Sequence, residues 1–337
     1  MPTISSREIH LASRPVGQPT AENFALTTVD VESTPAEDRL LVRNLYMSVD
    51  PYMRGRMRDG RSYAAPFALG EAMTGGAVGE VVASSHPDFA PGDTVLHNYG
   101  WREYASVHGK GAAKIDPALA SVQSFLGVLG MPGKTAYVGL LDIGQPKAGE
   151  TVFVSGAAGA VGSLVCQIAK LQGCRVVGSA GSPEKVAWLK EKAGVDGAVN
   201  YREAKNLRKA IAAECPDGVD VYFENVGGEH LEAALSLMND FGRIVACGMI
   251  SQYNASEPAP GPRNLALIVS RRLRIQGFIV SDHPERSADF YRDMAGWMTE
   301  GKIHWEETVL EGIESAPDAF LGLFSGENLG KMLVKLG

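Results

Sequence analysis

Residues 154–162 read Val-Ser-Gly-Ala-Ala-Gly-Ala-Val-Gly, and the chemistry they offer lies in their backbone. Small residues let a chain turn sharply out of a strand and into a helix, so that bare N–H groups and the positive helix end meet at one point. Such a point is built to hold a diphosphate. The flanks fit this reading. Residues 151–154 (Thr-Val-Phe-Val) are β-branched and aromatic, as a strand requires, and residues 163–171 (Ser-Leu-Val-Cys-Gln-Ile-Ala-Lys-Leu) carry helical periodicity. Gly159 and Gly162 stand where close backbone approach and helix packing most need glycine. Ala157, Ala158 and Ala160 leave the turn less glycine-rich than turns that bind NAD.

The next strand decides which dinucleotide. Its run Arg-Val-Val-Gly at 175–178 continues as Ser-Ala-Gly-Ser-Pro-Glu-Lys to Lys185. An acidic residue closing this strand would hold the adenosine ribose of NAD. None stands there, and a lysine follows. A carboxylate would repel an adenosine 2′-phosphate, whereas a cation attracts it. The residues therefore point to NADPH.

A metal-assisted dehydrogenase needs a cysteine and a histidine as zinc ligands, with a four-cysteine structural lobe elsewhere. Residues 48–51 (Ser-Val-Asp-Pro) hold no cysteine, and residues 70–72 (Gly-Glu-Ala) hold no histidine. The seven histidines are scattered without an H-x-x-x-H pair, so no metal site is expected. Without a metal to polarise a carbonyl, the natural chemistry is hydride delivery to a carbon that is already electrophilic. Cys166, Cys174, Cys215 and Cys247 show no C-x-x-C spacing and read as reduced packing residues. A net charge of −7 argues against a nucleic-acid surface. The absence of an apolar N-terminal run argues against a signal peptide or membrane span, and a cytoplasmic location is expected.

A chain of 337 residues exceeds one comfortable core and predicts two domains. Up to about residue 120, short β-type runs at 39–46, 76–82, 94–96 and 101–107 alternate with turns such as Pro-Gly-Asp at 91–93. That is a small, mostly β, barrel-like domain. From about residue 122, strands at 151–155, 175–178, 197–200, 219–224, 242–247 and 273–278 alternate with helices, including 183–192, 207–214 and 230–238. This pattern is a doubly wound parallel sheet. The stretch 306–337 is expected to return to short strands and rejoin the first domain. The boundaries expected are 1–125 with 300–337 for the substrate domain, and 126–299 for the dinucleotide-binding domain.

Six segments carry a family resemblance: Leu-Tyr-Met-Ser-Val-Asp-Pro-Tyr-Met-Arg at 45–54, Gly-Met-Pro-Gly-Lys-Thr-Ala-Tyr at 130–137, Ala-Ala-Gly-Ala-Val-Gly at 157–162, Phe-Glu-Asn-Val-Gly-Gly at 223–228, Cys-Gly-Met-Ile-Ser-Gln-Tyr at 247–253, and Asn-Leu-Gly-Lys at 328–331. Through them the chain resembles the zinc-independent medium-chain dehydrogenase/reductases, in the branch of prostaglandin and leukotriene reductases, alkenal double-bond reductases and curcumin reductase. The resemblance implies an α/β fold: a Rossmann-type doubly wound parallel sheet plus a GroES-like, mostly β barrel domain. It implies NADPH-dependent reduction of carbon–carbon double bonds conjugated to a carbonyl, an enone or enal as substrate, and a homodimer.

The resemblance also implies residue roles. Ala158, Gly159, Ala160 and Val161 would lie under the diphosphate, and Gly181, Lys185 and Tyr201 around the adenosine 2′-phosphate. Asn225, the segment with Cys247, Gly248, Ile250, Ser251 and Tyr253, and the segment Phe278, Ile279 and Val280 would collect at the carboxyl ends of strands near the cofactor. Met131, Pro132 and Thr135 would border the nicotinamide, and Asn328 would reach in from the returning C-terminal segment. Tyr52 would donate to, or position, the substrate carbonyl; otherwise it is a core tyrosine of the barrel domain. The chain departs from several relatives at Ser270, where they carry a second tyrosine. Either a cofactor ribose hydroxyl then holds the enolate, or Tyr63, Tyr99 or Tyr253 covers it. Arg271 and Arg272 read as surface residues, with steering of an anionic substrate as the alternative. Quinone reduction and non-catalytic NADPH binding are the competing functions.

Overall fold

The computed structural model describes residues 2–337, and its chain divides into two compact units. One comprises residues 2–127, Glu307–Asn328 and Met332–Gly337; the other comprises Val128–Glu306 and Leu329–Lys331.

The second unit is built on a six-stranded, wholly parallel sheet. Its strands lie in the order Gly197–Asn200, Arg175–Ala180, Thr151–Val154, Val219–Glu224, Met238–Ala246, Arg274–Gly277. Chain order thus reverses between Thr151–Val154 and Val219–Glu224, the switch point at which open α/β sheets hold ligands. The helix Gly162–Leu171 buries eight of its ten residues, including Cys166 and the polar Ser163 and Gln167, so it is covered almost all round. The strand read from sequence at 242–247 begins earlier, at Met238. Its pairing with Val219–Glu224 shifts register between Val219 and Val221, and Phe241 takes a left-handed φ of 62°. Such a bulge is invisible to a period-two pattern.

The first unit carries a seven-stranded sheet running Glu307–Glu311, Lys331–Lys335, Arg39–Ser48, Ala77–Ser84, Thr94–His97, Ala113–Lys114, with Tyr104–His108 also paired to Arg39–Ser48. The long strand Arg39–Ser48 organises it. Its first half pairs Tyr104–His108, while Tyr46–Ser48 pair Leu333–Lys335 on the same side. An antiparallel pair, Thr3–Leu11 with Phe24–Glu32, was not read from sequence. The stretch 306–337 needs correction, because it is not strands alone. A helix, Ala316–Ser325, separates its two strands: Pro317 sits in its first turn, Ala316, Ala319 and Phe320 are buried, and Gly326 at φ 76° closes it. Trp101, Phe24 and Phe320 form the aromatic centre of this unit's core, with ring centroids 6.1 Å apart.

Candidate active site

The strand Thr151–Val154 is buried at all four positions and delivers the chain into the glycine turn. Ala157 N–H donates to Ser179 O of the neighbouring strand at 2.9 Å, and Gly159 N–H to Gly156 O at 3.1 Å. Ser163 N–H donates to Gly159 O at 3.0 Å, so the helix begins directly from the turn. A Cβ on Gly162 would stand 2.3 Å from Gly156 O, which no side chain can do. At the next two helices Ser182 and Asn206 cap the first turn by accepting from the N–H groups of Lys185 and Lys209. Val161, at the equivalent position of the glycine-turn helix, supplies no side-chain acceptor. The positive end of that helix suits an anion held against the backbone of the turn itself, and the close turn leaves room for its oxygens. The residues fit a dinucleotide diphosphate over Ala158, Gly159, Ala160 and Val161.

The second strand ends at a cationic rim. Tyr201 N–H donates to Ala180 O at 3.1 Å, which brings the phenol back over Gly181; a Cβ there would meet Tyr201 Oη at 2.7 Å. The Tyr201 ring stands edge-on to His230, 5.1 Å between centroids. Burial holds the Lys185 amino group below the ordinary lysine range, and the charge of Arg202 lowers it further against the opposing pull of Glu184. Tyr201 thus stands against Gly181, and Lys185 and Arg202 lie within electrostatic reach of each other. Arg202 escaped the sequence reading, although its place directly after Tyr201 was the available signal.

Across the switch point, Asn225 and the segment after Met238–Ala246 form one hydrogen-bonded group. Cys247 and Gly248 N–H both donate to Glu224 O at 3.0 Å, Ile250 N–H to Asn225 O at 3.1 Å, and Ser251 N–H to Val226 O at 3.0 Å. Tyr253 Oη accepts from Met249 N–H at 3.3 Å. Burial first, and then the charge of Glu224, push the Cys247 thiol up to about 12, so it stays protonated.

Among the remaining expected segments, Phe278 follows the strand Arg274–Gly277, whose Gly277 pairs with Ala246, and so lies alongside Cys247. Met131 and Pro132 open the helix Met131–Val138, whose Thr135 hydroxyl donates to Met131 O at 2.8 Å. Phe278 turns its ring onto Gly139, where a Cβ would lie 2.6 Å from Phe278 Cζ, and Ile279 leads into a tight turn at Val280–Asp282. Asn328 belongs to the first unit, directly before the Leu329–Lys331 segment whose Gly330 N–H donates to Ala158 O at 2.9 Å. Ser270 donates back to Leu267 O at 3.4 Å. Arg271 and Arg272 are both engaged: Arg271 on Met238 O and Ser236 O, Arg272 with Asp240 and over the Phe241 ring.

Within the first unit, Tyr52 opens the short helix Met53–Arg56. Burial drives its phenol well above the ordinary tyrosine range, and the charge of Asp50 adds to this. Arg56 opposes the rise through its charge and a side-chain hydrogen bond to the phenol. Arg56 is itself fixed by Ala65 O at 2.8 Å, Thr74 Oγ1 at 3.1 Å and the Phe67 ring at 4.1 Å. Tyr52 is therefore a half-buried phenol kept protonated beside an anchored cation, a hydrogen-bond donor rather than a base. Tyr63 is 62% exposed and Tyr99 37% exposed, which leaves Tyr52 as the enclosed phenol of this set in the first unit.

Two family models match the chain: one described as the N-terminal domain of oxidoreductase, over residues 7–115, and one as zinc-binding dehydrogenase, over residues 160–300. NADPH-dependent curcumin reductase of Escherichia coli (strain K12) is 47% identical over 331 residues, covering 97% of this chain and 95% of its own. The NADP(+)-dependent 2-alkenal reductase of Nicotiana tabacum is 44% identical over 336 residues, covering 98% and 97%. The chain belongs to the medium-chain dehydrogenase/reductase family.

Among solved structures, this dehydrogenase/reductase is similar to CurA from Vibrio vulnificus in complex with NADPH, at 47% identity and a TM-score of 0.93, over 98% of this chain and 99% of that one. Despite the wording of one family description, no group of three or more His, Cys, Asp or Glu side chains that could hold a metal ion occurs among the described residues of this dehydrogenase/reductase. Among them, too, no helix is long and apolar enough to cross a membrane.

Proposed function

We propose that this chain is a zinc-independent, NADPH-dependent reductase of the carbon–carbon double bond of α,β-unsaturated ketones and aldehydes. The observation that carries the cofactor is the rim at Gly181, where Lys185, Arg202 and Tyr201 suit a phosphomonoester and no carboxylate closes the strand. The substrate class is supported by the names of relatives that are curcumin and 2-alkenal reductases.

NADPH, when bound, supplies the hydride that the β-carbon of the substrate accepts. The cradle at Ala158–Val161 would hold its diphosphate, the Gly181 rim its 2′-phosphate, and Asn225 with residues 247–253 the strand-end contacts. Met131, Pro132, Thr135, Phe278, Ile279, Val280 and Asn328 would complete the set. As the β-carbon is reduced, negative charge collects on the carbonyl oxygen, and Tyr52 donates its hydrogen there. Arg56 donates onto the phenol oxygen, so the phenol proton stays available to the substrate. The α-carbon then takes a proton. Holding the reactants in contact can supply about 7–11 kcal/mol of the barrier.

We assign residues 1–125 and 300–337 to the substrate domain and 126–299 to the dinucleotide domain. A cytoplasmic location agrees with four free cysteines. A homodimer agrees with the outer strand Arg274–Gly277, exposed at all four positions, and with Val269, 81% exposed beside it.

Incubation of the protein with NADPH and a simple enone, followed by mass spectrometry and NMR of the product, tests the reading. The saturated ketone is expected. Recovery of an allylic alcohol, or faster turnover of quinones than of any enone, would overturn it.

A further inference from the structure

At the switch point of the parallel sheet, one carboxylate holds together the two strand ends that the cofactor must span. Glu224 is fully buried, and a single oxygen of it, Oε1, accepts from Ser155 Oγ at 3.0 Å, Val226 N–H at 2.6 Å and Gly227 N–H at 2.8 Å. Ser155 is the first residue of the glycine turn, and it too is fully buried. Its hydroxyl oxygen accepts from Tyr222 Oη and from Asn225 N–H, each at 3.0 Å. Its carbonyl accepts from Asn225 Nδ2 at 2.7 Å. The carboxamide of Asn225 is thereby fixed at its nitrogen end, which leaves Oδ1 as the atom able to accept from a ligand donor. The Glu224 main chain gathers the third segment, through Cys247 and Gly248.

We infer that Glu224 is the positioning residue of the cofactor cradle: through the Ser155 hydroxyl it holds the Ser155 main chain, whose carbonyl sets the angle of the Asn225 carboxamide, and it locks the glycine turn to the loop at 225–227. Glu224 reaches no ligand itself. Its placement costs a buried carboxyl, which burial pushes up against the pull of its donors. A bulky apolar residue would fill the same space without that cost, but it would leave two backbone N–H groups and a hydroxyl unsatisfied and the carboxamide unguided. Three donors converging on one oxygen are an arrangement that fixes direction, which packing alone does not require.

This inference rests on the proposed NADPH reading, and its test separates the two. NADPH dissociation constants, measured by fluorescence titration without any substrate, would be compared for the native protein and for Glu224→Ala, Glu224→Gln, Ser155→Ala and Asn225→Ala. Steady-state KM values for NADPH and enone would be taken beside them. Glu224→Ala and Ser155→Ala are each expected to weaken NADPH by about tenfold, the scale of a lost buried hydrogen bond, with the enone KM within about twofold of native. Glu224→Gln keeps an acceptor oxygen of the same reach and is expected to restore most of the affinity. In an Asn225→Ala background, Ser155→Ala is expected to cost little more, because the group it guides is gone. Equal losses with and without Asn225, or a Ser155→Ala protein that binds NADPH as the native one does, would overturn the inference. Should Glu224→Ala fail to fold, Ser155→Ala and its double variant still decide the question. Failure of the native protein to bind NADPH would overturn the functional reading instead.

Discussion

The Tyr201 hydroxyl occupies the space a side chain on residue 181 would need: a Cβ on Gly181 would meet it at 2.7 Å, and the phenol carbon behind it at 3.0 Å. Glycine at 181 is thus a condition for where that phenol stands. Gly181→Ala should push the phenol away from the rim while leaving the diphosphate turn intact. The preference for NADPH over NADH, read as the ratio of kcat/KM values, should fall by about fivefold to tenfold, the scale of one hydrogen bond. An unchanged ratio would detach Tyr201 from the 2′-phosphate.

Lys185 makes a sharper test, because its charge is conditional. Lys185→Ala should weaken NADPH by about tenfold to a hundredfold, as expected for a lost charge-assisted hydrogen bond, and leave NADH nearly unaffected. The pH dependence follows from the direction of its shift. Burial and Arg202 hold the Lys185 amino group below the ordinary lysine range, so it is charged at neutral pH and loses its proton earlier on the alkaline side than an exposed lysine would. NADPH affinity should therefore be full near neutrality and decline as pH rises toward that lowered range. The decline should vanish in Lys185→Ala. Equal losses for NADPH and NADH would remove Lys185 from the 2′-phosphate site.

The parts of this molecule legible in its sequence are those written in local pattern. The central strand Thr151–Val154 is a continuous buried run, as a strand covered on both faces must be, and the turn at 154–162 shows its backbone function through small residues alone. What escaped is set by tertiary contact. The bulge at Phe241 depends on pairing with Val219–Glu224, and the helix Ala316–Ser325 hides in a short stretch that also suits strands. Arg202, Arg56 and Ser155 matter through neighbours distant in sequence: Lys185, Thr74 and Glu224 respectively. Their residue types are common at surfaces and in turns, so no periodicity marks them.

Tyr52 is expected to act on the chemical step. Burial and Asp50 keep its phenol protonated, so it should contribute no alkaline loss of activity below the range of ordinary tyrosine titration. Tyr52→Phe should lower kcat by about a hundredfold, the scale of a missing oxyanion donor, with the NADPH dissociation constant unchanged. Arg56→Met should lower kcat in the same direction by releasing the phenol from its fixed orientation. Single-turnover measurements with saturating NADPH separate this from binding, and an unchanged kcat in Tyr52→Phe would return Tyr52 to packing.

Zinc should be dispensable. The stretches 48–51 and 70–72 hold neither the cysteine nor the histidine that a zinc site would need, and Ser48 Oγ is already bonded to Asp50. Elemental analysis of the purified protein should find well below one zinc per chain, and prolonged chelation should leave enone reduction intact. A full equivalent that survives chelation would contradict the argument from ligands.

Gly162 tests whether the cradle's shape, rather than any side chain, carries cofactor binding. Its missing Cβ would lie 2.3 Å from Gly156 O and 2.8 Å from Ala157 Cα, both backbone atoms that cannot rotate away. Gly162→Ala must open the turn, at a cost of about 1–3 kcal/mol, and lower the thermal midpoint by about 3–10 °C. Gly159 offers the control, since a Cβ there meets only Gly156 O, at 3.3 Å. Gly159→Ala should keep the midpoint within about 2 °C of native, because the contact can relax by a few tenths of an ångström. Differential scanning calorimetry with and without NADPH reads both quantities. The native protein should gain stability from NADPH, and Gly162→Ala should gain almost none. A Gly162→Ala protein with the native midpoint and the native NADPH shift would show that the turn tolerates opening, and the diphosphate would then have to be held elsewhere.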